Sequence, residues 1–436
     1  MKIEELYQKY LDCGCRISTD TRTLNGGEIF FALKGENFDG NAYAAKALEC
    51  GASWVVTDSD LCPDVPGRIR VEDSFATLCE LATWHREHVS PSRRLPVIGL
   101  TGTNGKTTTK ELIREVLSTR YRVCATKGNL NNDIGVPLSL LSISPDTEIA
   151  VIEMGASHPD DISRLVSVSR PDCGLITNVG RAHLLGFGSF EGVKAAKGAL
   201  YDYLAQVPGG FVFLNADDPC LCAMASERQL GDIRPYGLKT QGAEIIPLSP
   251  EEPFLRMKLS GRVISTRLAG SYNATNVLAA IAVGKAFGVS EEDVIRAIEA
   301  YVPSNNRSQM LHTARNTVIV DAYNANPSSM AAALENFASA VAPEKFALLG
   351  DMRELGEASL EEHIKVIEAV PSEVRIYLVG EEFSKAASVC GSRPDALLFP
   401  NSEALACYLR ENPIENALVL LKGSRGTHME NILPEL

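Results

Sequence analysis

Residues 97–110 read Val97-Ile98-Gly99-Leu100-Thr101-Gly102-Thr103-Asn104-Gly105-Lys106-Thr107-Thr108-Thr109-Lys110. An apolar strand pattern precedes the glycines, and apolar residues recur at helical spacing over 111–117. A strand, a glycine turn and a helix form the setting of a phosphate-binding loop, where backbone N–H groups and the helix N-terminus hold the anion.

The match to the strict G-x-x-x-x-G-K-[ST] pattern is incomplete, because Leu100 stands where the first glycine is expected. A glycine-rich turn without a ligand is the alternative interpretation. Gly-Lys-Thr at a helix start is hard to explain by packing, so we favour the loop. Lys106 would then reach the outer phosphates, and the Thr107 hydroxyl would bind Mg²⁺.

The composition restricts the class of protein. The chain has 436 residues and a net charge of −13, with 45% hydrophobic residues, which predicts two or three packed domains. The acidic charge argues against a nucleic-acid partner or an anionic membrane surface. The start of the chain lacks the apolar segment of a signal peptide, and the 11 cysteines show no zinc spacing. We therefore expect a soluble cytoplasmic protein without membrane insertion.

Strand and helix patterns alternate along most of the chain, which predicts an α/β fold. Continuous apolar strands at 149–152, 173–179 and 209–215 indicate a central, mostly parallel sheet flanked by helices. Changes of composition at 91–96 and 303–307 divide the chain into a small N-terminal α/β domain, the central domain and a C-terminal Rossmann-like domain. The predicted limits are 1–92, 93–302 and 303–436.

Four sites have both a purely structural and a functional interpretation. Glu153 ends a buried strand, so it is either structurally paired or a Mg²⁺ ligand, and we favour the metal. His183 follows another strand and is either a half-buried histidine or a functional one. Lys197 by itself is an ordinary helix lysine. The triplet 20–22 is usually a turn with a surface salt bridge, and a ligand role is the less common case.

The motifs together resemble the Mur ligases over nearly the whole chain, in the order of that family. The matching stretches are 101–108, 129–137, 153–156, 177–183, 196–198, 270–276, 306–307 and 321–327. The chain is most similar to the MurF type through residues 131–137, the run 350–356 with His363 after it, and 422–425. It lacks the Asp-Asn-Pro-Arg box usual in the MurE type.

The resemblance implies an ATP-dependent ligase of peptidoglycan precursor synthesis, which joins D-alanyl-D-alanine to a UDP-N-acetylmuramoyl-tripeptide. ATP would convert the tripeptide carboxylate into an acyl phosphate, which the dipeptide amine attacks. A MurE-type or folylpolyglutamate-type ligase of the same fold is the alternative, and an ATP-hydrolysing binding module is a more distant one. We expect a monomer, and the third residue of the tripeptide stays open.

The resemblance also assigns the site residues. The UDP substrate would contact Thr21, Arg22, Asn131 and Asn132. The nucleotide would contact Gly102, Thr103, Asn104, Gly105, Lys106, Thr107, Thr108, Asn273, Asn276, Arg307, Asp321, Tyr323 and Asn324. Catalysis and two Mg²⁺ ions would involve Lys106, Thr107, Glu153, His183 and Lys197. Tyr272 and Ala199 depart from residues common among relatives, which are His and Glu.

The same resemblance suggests that Lys197 is carbamylated. An ammonium about 4 Å from a divalent cation, at an effective dielectric near 20, would be repelled by about 8 kcal/mol. Addition of carbon dioxide to the neutral amine would give an anion with oxygen ligands suited to Mg²⁺.

Overall fold

The computed structural model describes residues 1–35, 38–60, 65–90, 94–247, 254–303, 307 and 309–436. Its packing divides the chain into two compact units. The first is Met1–Leu100, Tyr121–Gly155 and Asp161–Gly174; the second is Thr101–Arg120, Ala156–Asp160 and Leu175–Leu436. The predicted domain limit at 92 lies outside the described residues, as do 91–93 of the predicted linker and 304–306 of the next one, Asn306 included.

The described part of the chain alternates helices and strands. Up to residue 96 these are α1 (Ile3–Asp12), β1 (Ile17–Ser18), β2 (Ile29–Phe31), β3 (Lys34–Gly35), β4 (Phe38–Asp39), α2 (Ala44–Glu49), β5 (Trp54–Thr57), β6 (Arg68–Arg70) and α3 (Ser74–His88).

The elements from 97 to 303 follow. They are β7 (Val97–Thr101), α4 (Lys106–Ser118), β8 (Val123–Ala125), α5 (Gly135–Leu141), β9 (Ile149–Glu153), α6 (Asp161–Ser169), β10 (Cys173–Ile176), α7 (Leu184–Phe187), α8 (Phe190–Leu204), β11 (Phe211–Asn215), α9 (Pro219–Ser226), β12 (Asp232–Tyr236), α10 (Leu238–Gln241), β13 (Glu244–Ile246), β14 (Arg256–Leu259), β15 (Arg262–Ser265), α11 (Ala274–Ala286) and α12 (Glu291–Ala300).

The last elements form a further α/β layer. They are β16 (Gln309–His312), β17 (Thr317–Asp321), α13 (Pro327–Ser339), β18 (Lys345–Gly350), α14 (Ser359–Ala369), β19 (Arg375–Val379), α15 (Glu381–Val389), β20 (Leu397–Phe399), α16 (Ser402–Glu411) and β21 (Leu418–Lys422).

The first unit contains short parallel strands covered by helices. Its N-terminal sheet has the order β1-β2-β5-β6, and every pair is parallel. Helix α3 begins at Ser74, because the Asp73 carboxylate accepts the backbone N–H of Ala76. It packs against α1, α5 and α6. Strand β9 is fully buried and pairs in parallel with β7 and β8, so Glu153 is carried at a carboxyl end of parallel strands.

The second unit contains the glycine loop and the C-terminal sheet. Helix α4 packs against α11 and α12, which holds the helix that follows the loop. The C-terminal sheet has the order β16-β17-β21-β18-β19-β20 and is parallel except for the β16 edge. Its strands are buried because apolar residues from α13, α14, α15 and α16 cover both faces. The α/β prediction is confirmed.

An antiparallel sheet, β13-β14-β15, is present where only alternating strands and helices were expected. Ser260 and Gly261 connect β14 to β15 with positive φ at both positions, which is the two-residue turn that matches hairpin twist. The Ser-Gly pair between apolar runs was a signal for this hairpin.

Candidate active site

The glycine loop connects β7 to α4 and begins the helix at Lys106. Gly102 and Gly105 have φ of 151° and 78°, which favour glycine. A Cβ atom at Gly105 would lie 2.6 Å from Oδ1 of Asn276, and one at Gly102 would collide with Oγ1 of Thr177. Both glycines are therefore required by close packing as well as by backbone conformation.

The residues that follow β10 hold this loop in place. The N–H of Thr103 donates to the Asn178 carbonyl at 3.0 Å, and the N–H of Asn104 donates to the Asn178 side chain at 2.9 Å. The Asn104 carbonyl accepts from Thr177 Oγ1 at 2.6 Å and from Asn178 Nδ2 at 3.0 Å. Thr177 and Asn178 belong to a motif that we noted in the sequence, but neither was predicted as a support of the loop.

Two lysines meet at one carbonyl of the loop. Lys106 Nζ donates to the Gly102 and Thr103 carbonyls at 2.7 and 3.0 Å. Lys197 Nζ, carried by α8, donates to the same Gly102 carbonyl at 3.0 Å. Burial and the charge of Lys106 hold the pKa of Lys197 well below its ordinary value. Lys197 is thus no solvent-exposed helix lysine, and its surroundings favour the neutral amine.

The first turn of α4 carries Thr107 and Thr108, and asparagines of the next motif support it. Thr107 is buried and Thr108 half-buried. Thr109 Oγ1 donates to Asn276 Oδ1 at 3.0 Å, and Asn276 Nδ2 donates to Asn273 Oδ1 at 2.8 Å. The predicted nucleotide residues Asn273 and Asn276 are therefore buried against the base of the loop. Tyr272, beside them, is half-buried.

His183 is subject to the positive charges of Lys106 and Lys197 and is hydrogen-bonded to Glu354, which is distant in sequence. Its Nδ1 is hydrogen-bonded to the Glu354 carboxylate, and both residues have left-handed backbones, with φ of 51° and 64°. Burial lowers the pKa of His183, while Glu354 opposes that shift. Left-handed non-glycine residues cost energy and concentrate at functional sites. Glu354 was part of a quoted run, but no contact with His183 was predicted.

In the first unit, Glu153 is held by an amide. It is 1% exposed, and its Oε1 accepts from Asn131 Nδ2 at 2.7 Å. Its backbone N–H donates to Thr126 Oγ1 at 3.0 Å. Asn132 is exposed, and its Oδ1 accepts the N–H of Gly135 at the start of α5. In this structure Asn131 orients Glu153, and Asn132 accepts the N–H of the first residue of α5.

Thr21 and Arg22 lie in a short 3₁₀ turn, Thr21–Thr23. The Arg22 guanidinium forms two-point hydrogen bonds with the Asp20 carboxylate, and its side chain is 87% exposed. Hydrogen bonds from the Arg22 side chain and N–H lower the pKa of Asp20 to about 2. The geometry is that of a turn with a surface salt bridge.

The four predicted C-terminal nucleotide residues gather at the carboxyl ends of β17 and β21. Asp321 Oδ2 accepts from Lys422 Nζ at 2.5 Å, and the Asn324 carbonyl accepts from the same atom at 3.3 Å. The Arg307 guanidinium lies 3.8 Å from the ring centroid of Tyr323. The guanidinium of Arg425 lies 5.8 Å from that centroid on a neighbouring loop. Lys422 and Arg425 were noted as a motif without assigned contacts.

The metal prediction meets one limit. Over the described ranges, no group of three His, Cys, Asp or Glu side chains forms a site that could hold a metal ion. No helix in the described part of the chain is long and apolar enough to cross a membrane.

Comparison with known proteins decides the family. Residues 100–284 match the Mur ligase middle domain, and 306–425 match the Mur ligase glutamate ligase domain. UDP-N-acetylmuramoyl-tripeptide–D-alanyl-D-alanine ligases of Bacillus subtilis and Escherichia coli are each 34% identical to the chain. The alignments cover 96% of this chain and 92% and 93% of the relatives. The chain belongs to the Mur ligase family.

Within the Mur ligases, the chain is of the MurF type. A MurF crystal structure from Acinetobacter baumannii has a TM-score of 0.85 and 31% identity, and covers 97% of this chain and 93% of its own. MurF from Thermotoga maritima in complex with ADP has a TM-score of 0.83 and 26% identity, and covers 96% of both chains. A folylpolyglutamate synthase from Mycobacterium tuberculosis, at 15% identity and a TM-score of 0.64, shares the fold alone.

Proposed function

We propose that this Mur ligase joins D-alanyl-D-alanine to a UDP-N-acetylmuramoyl-tripeptide and converts ATP to ADP and phosphate through an acyl phosphate. The observation that carries the proposal is the 34% identity over 96% of the chain to two enzymes named for this reaction. The glycine loop between β7 and α4, with Lys106 at the helix start, supplies the phosphate site that the reaction requires.

The chemistry follows from the weakness of a carboxylate as an acyl electrophile. The terminal carboxylate oxygen of the tripeptide attacks the γ-phosphorus of ATP, ADP leaves, and an acyl phosphate forms. The dipeptide amine then attacks the acyl carbon, phosphate leaves with the bond electrons, and the amine loses a proton. Loop N–H groups and Lys106 hold and neutralise the phosphates, so the protein contributes mostly positioning and charge stabilisation.

Mg²⁺ fits the donors at the predicted positions. Thr107 offers a buried hydroxyl at the first turn of α4, and Glu153 offers a buried carboxylate held by Asn131. Both are hard oxygen donors. We propose these two residues, with His183, as protein ligands of the two ions. Bound Mg²⁺ would neutralise phosphate charge.

For Lys197 we propose carbamylation. Lys197 is 2% exposed and its amine donates to a carbonyl to which the positive Lys106 is also bonded. A buried amine without a compensating anion favours the neutral form, which is the form that adds carbon dioxide. The carbamate would supply the additional oxygen donors that the unmodified side chains lack.

We also propose the roles of the three predicted domains. Residues 1–92 would hold the UDP end through Thr21 and Arg22, and 93–302 would bind ATP, with Asn131 and Asn132 near the tripeptide. Residues 303–436 would close on the nucleotide through Arg307, Asp321, Tyr323 and Asn324, and would receive the dipeptide. We also propose that the enzyme is cytoplasmic and monomeric.

ADP release from the purified protein tests the function. The reaction is run with UDP-muramoyl tripeptides that end in lysine or diaminopimelate, with and without D-alanyl-D-alanine. We expect release that depends on both substrates, and a product heavier by the dipeptide. Ligation of a single diamino acid or of glutamate instead would contradict the MurF reaction. ATP turnover that ignores every acceptor would favour a binding module.

A further inference from the structure

Asn326 begins helix α13, and its orientation is set by a capping box. Its Oδ1 accepts the N–H of Ser329 at 2.9 Å, and its own N–H donates to Ser329 Oγ at 3.1 Å. The residue is only 5% exposed. The cap uses the side-chain oxygen, so the amide nitrogen is held in a defined direction.

That nitrogen contacts the glycine loop. Asn326 Nδ2 donates to Asn104 Oδ1 at 2.9 Å, across 222 positions of sequence. The backbone of Asn104 already bonds to Thr177 and Asn178, which follow β10. Those bonds fix the main chain of Asn104, whereas the bond from Asn326 fixes its side chain, two positions before Lys106.

A second contact places the first turn of α13 against the residues that follow β10. Ser328 Oγ accepts the N–H of Arg181 at 3.0 Å, and a Cβ atom at Gly180 would lie 2.6 Å from that hydroxyl. The N–H of Gly180 in turn donates to Thr103 Oγ1 at 2.9 Å. The first turn of α13 therefore rests on residues that themselves bond to the loop.

We propose that Asn326 is a positioning residue of the ligase reaction, acting on the phosphate loop through Asn104. The C-terminal segment that carries Asp321 and Tyr323 is then joined to the loop by one side chain at the start of α13. When this segment meets the nucleotide, the same bond orients the loop for phosphoryl transfer. The proposal rests on the function proposed above.

The contacts predict different effects of losing Asn326 on ATP binding and on turnover. The bonds from Thr177 and Asn178 hold the backbone of the loop without Asn326, so ATP should still bind when the side-chain bridge is lost. Turnover depends on the alignment of the loop with the C-terminal segment, and misalignment lowers kcat more than affinity.

Three variants test the bridge. Asn326→Ser keeps the cap of α13, because serine and asparagine cap helices about equally. The serine side chain is too short to reach Asn104, so the bridge is lost. Ser329→Ala weakens the cap and keeps the bridge. Asn104→Ala removes the partner, and the double variant Asn104→Ala/Asn326→Ser closes a cycle.

We expect Asn326→Ser to lower kcat about tenfold, as for one lost buried hydrogen bond, with the KM for ATP changed by less than about twofold. Ser329→Ala should retain kcat within about twofold, because only the cap is weakened. The double variant should be no slower than Asn104→Ala. Wild-type kcat in Asn326→Ser, or a double variant slowed by the product of the two single effects, would overturn the proposal.

NMR of the Asn104 side chain without substrates separates this proposal from the function itself. The side-chain amide signal of Asn104, assigned by its loss in Asn104→Ala, should shift in Asn326→Ser but not in Ser329→Ala. An unchanged signal would count against the bridge even if ligation is confirmed. A wild-type protein that fails to ligate would refute the function, whereas a shifted signal would still support the bridge.

Discussion

Lys197 and Lys422 are both almost fully buried, at 2% and 1% exposure, yet their ammonium groups meet different neighbours. Lys422 Nζ lies 2.5 Å from the Asp321 carboxylate. Lys197 Nζ bonds to the Gly102 carbonyl, and among the described residues it forms no ion pair with a carboxylate. Lys106 adds a second positive charge at the same carbonyl.

The difference is that one buried lysine has a compensating carboxylate and the other, over the described residues, does not. Burial penalises the charged form of a lysine unless an opposite charge compensates it. Asp321 supplies that compensation for Lys422, so the pair joins β17 to β21. At Lys197 both burial and Lys106 favour the neutral amine, and such an amine can react with carbon dioxide. Four substitutions test this contrast, from the largest expected effect to the smallest.

Lys197→Ala should lower ADP release about a thousandfold, because the proposed carbamate would help to hold the Mg²⁺ whose charge stabilises the phosphates. Acetate should restore part of the rate by occupying the vacated space. NMR of the wild type in ¹³C-bicarbonate should show a carbamate signal that the variant lacks. Full activity of Lys197→Ala in carbonate-free buffer would show that the lysine has no such role.

Lys106→Ala should lower ADP release about 10²–10³-fold, as for loss of one preorganised charge donor, while the loop stays folded through Thr177 and Asn178. Removal of this charge should also raise the pKa of Lys197 and weaken its carbamate signal. Lys285→Ala, at an exposed position of α11, is the control. Near-normal turnover would contradict the assignment of the loop.

Lys422→Ala should act mainly on stability, in contrast to Lys197→Ala. It leaves the Asp321 carboxylate, 18% exposed, without its cation, which should cost about 3 kcal/mol of unfolding free energy. Denaturant unfolding measures the loss. The double variant Lys422→Met/Asp321→Asn removes both charges and should be more stable than the single one. An unchanged midpoint in Lys422→Ala would show that the pair contributes nothing.

Arg22→Ala tests a basic residue whose ion pair lies in water. Exposed pairs contribute little, so the unfolding midpoint should not change. Loss of one charged contact with the UDP substrate should raise the KM for that substrate about tenfold and leave the KM for ATP unchanged. A matched rise for ATP would show that the residue acts elsewhere.

Local sequence patterns predicted many of the helices, strands and turns. The apolar run, the glycines and the helical spacing over 97–117 predicted the loop and its helix, and the structure places both there. Apolar runs at 149–152, 173–179 and 209–215 predicted strands, and β9, β10 and β11 form at these positions. These features depend on neighbours within a few positions, and that dependence is visible in a sequence.

The sequence by itself determined the α/β class, the family and the identity of the candidate residues. Only the tertiary structure decided which of them meet: Lys197 with Gly102 across 95 positions, Asp321 with Lys422 across 101, and Asn104 with Asn326 across 222. It also decided that Asn132 bonds to the N–H of Gly135 and that Arg22 pairs with Asp20. Such contacts arise because folding brings strand ends and loops together, and no periodicity records the partner of a side chain. Whether a buried lysine is a structural ion or a reactive amine depends on that partner.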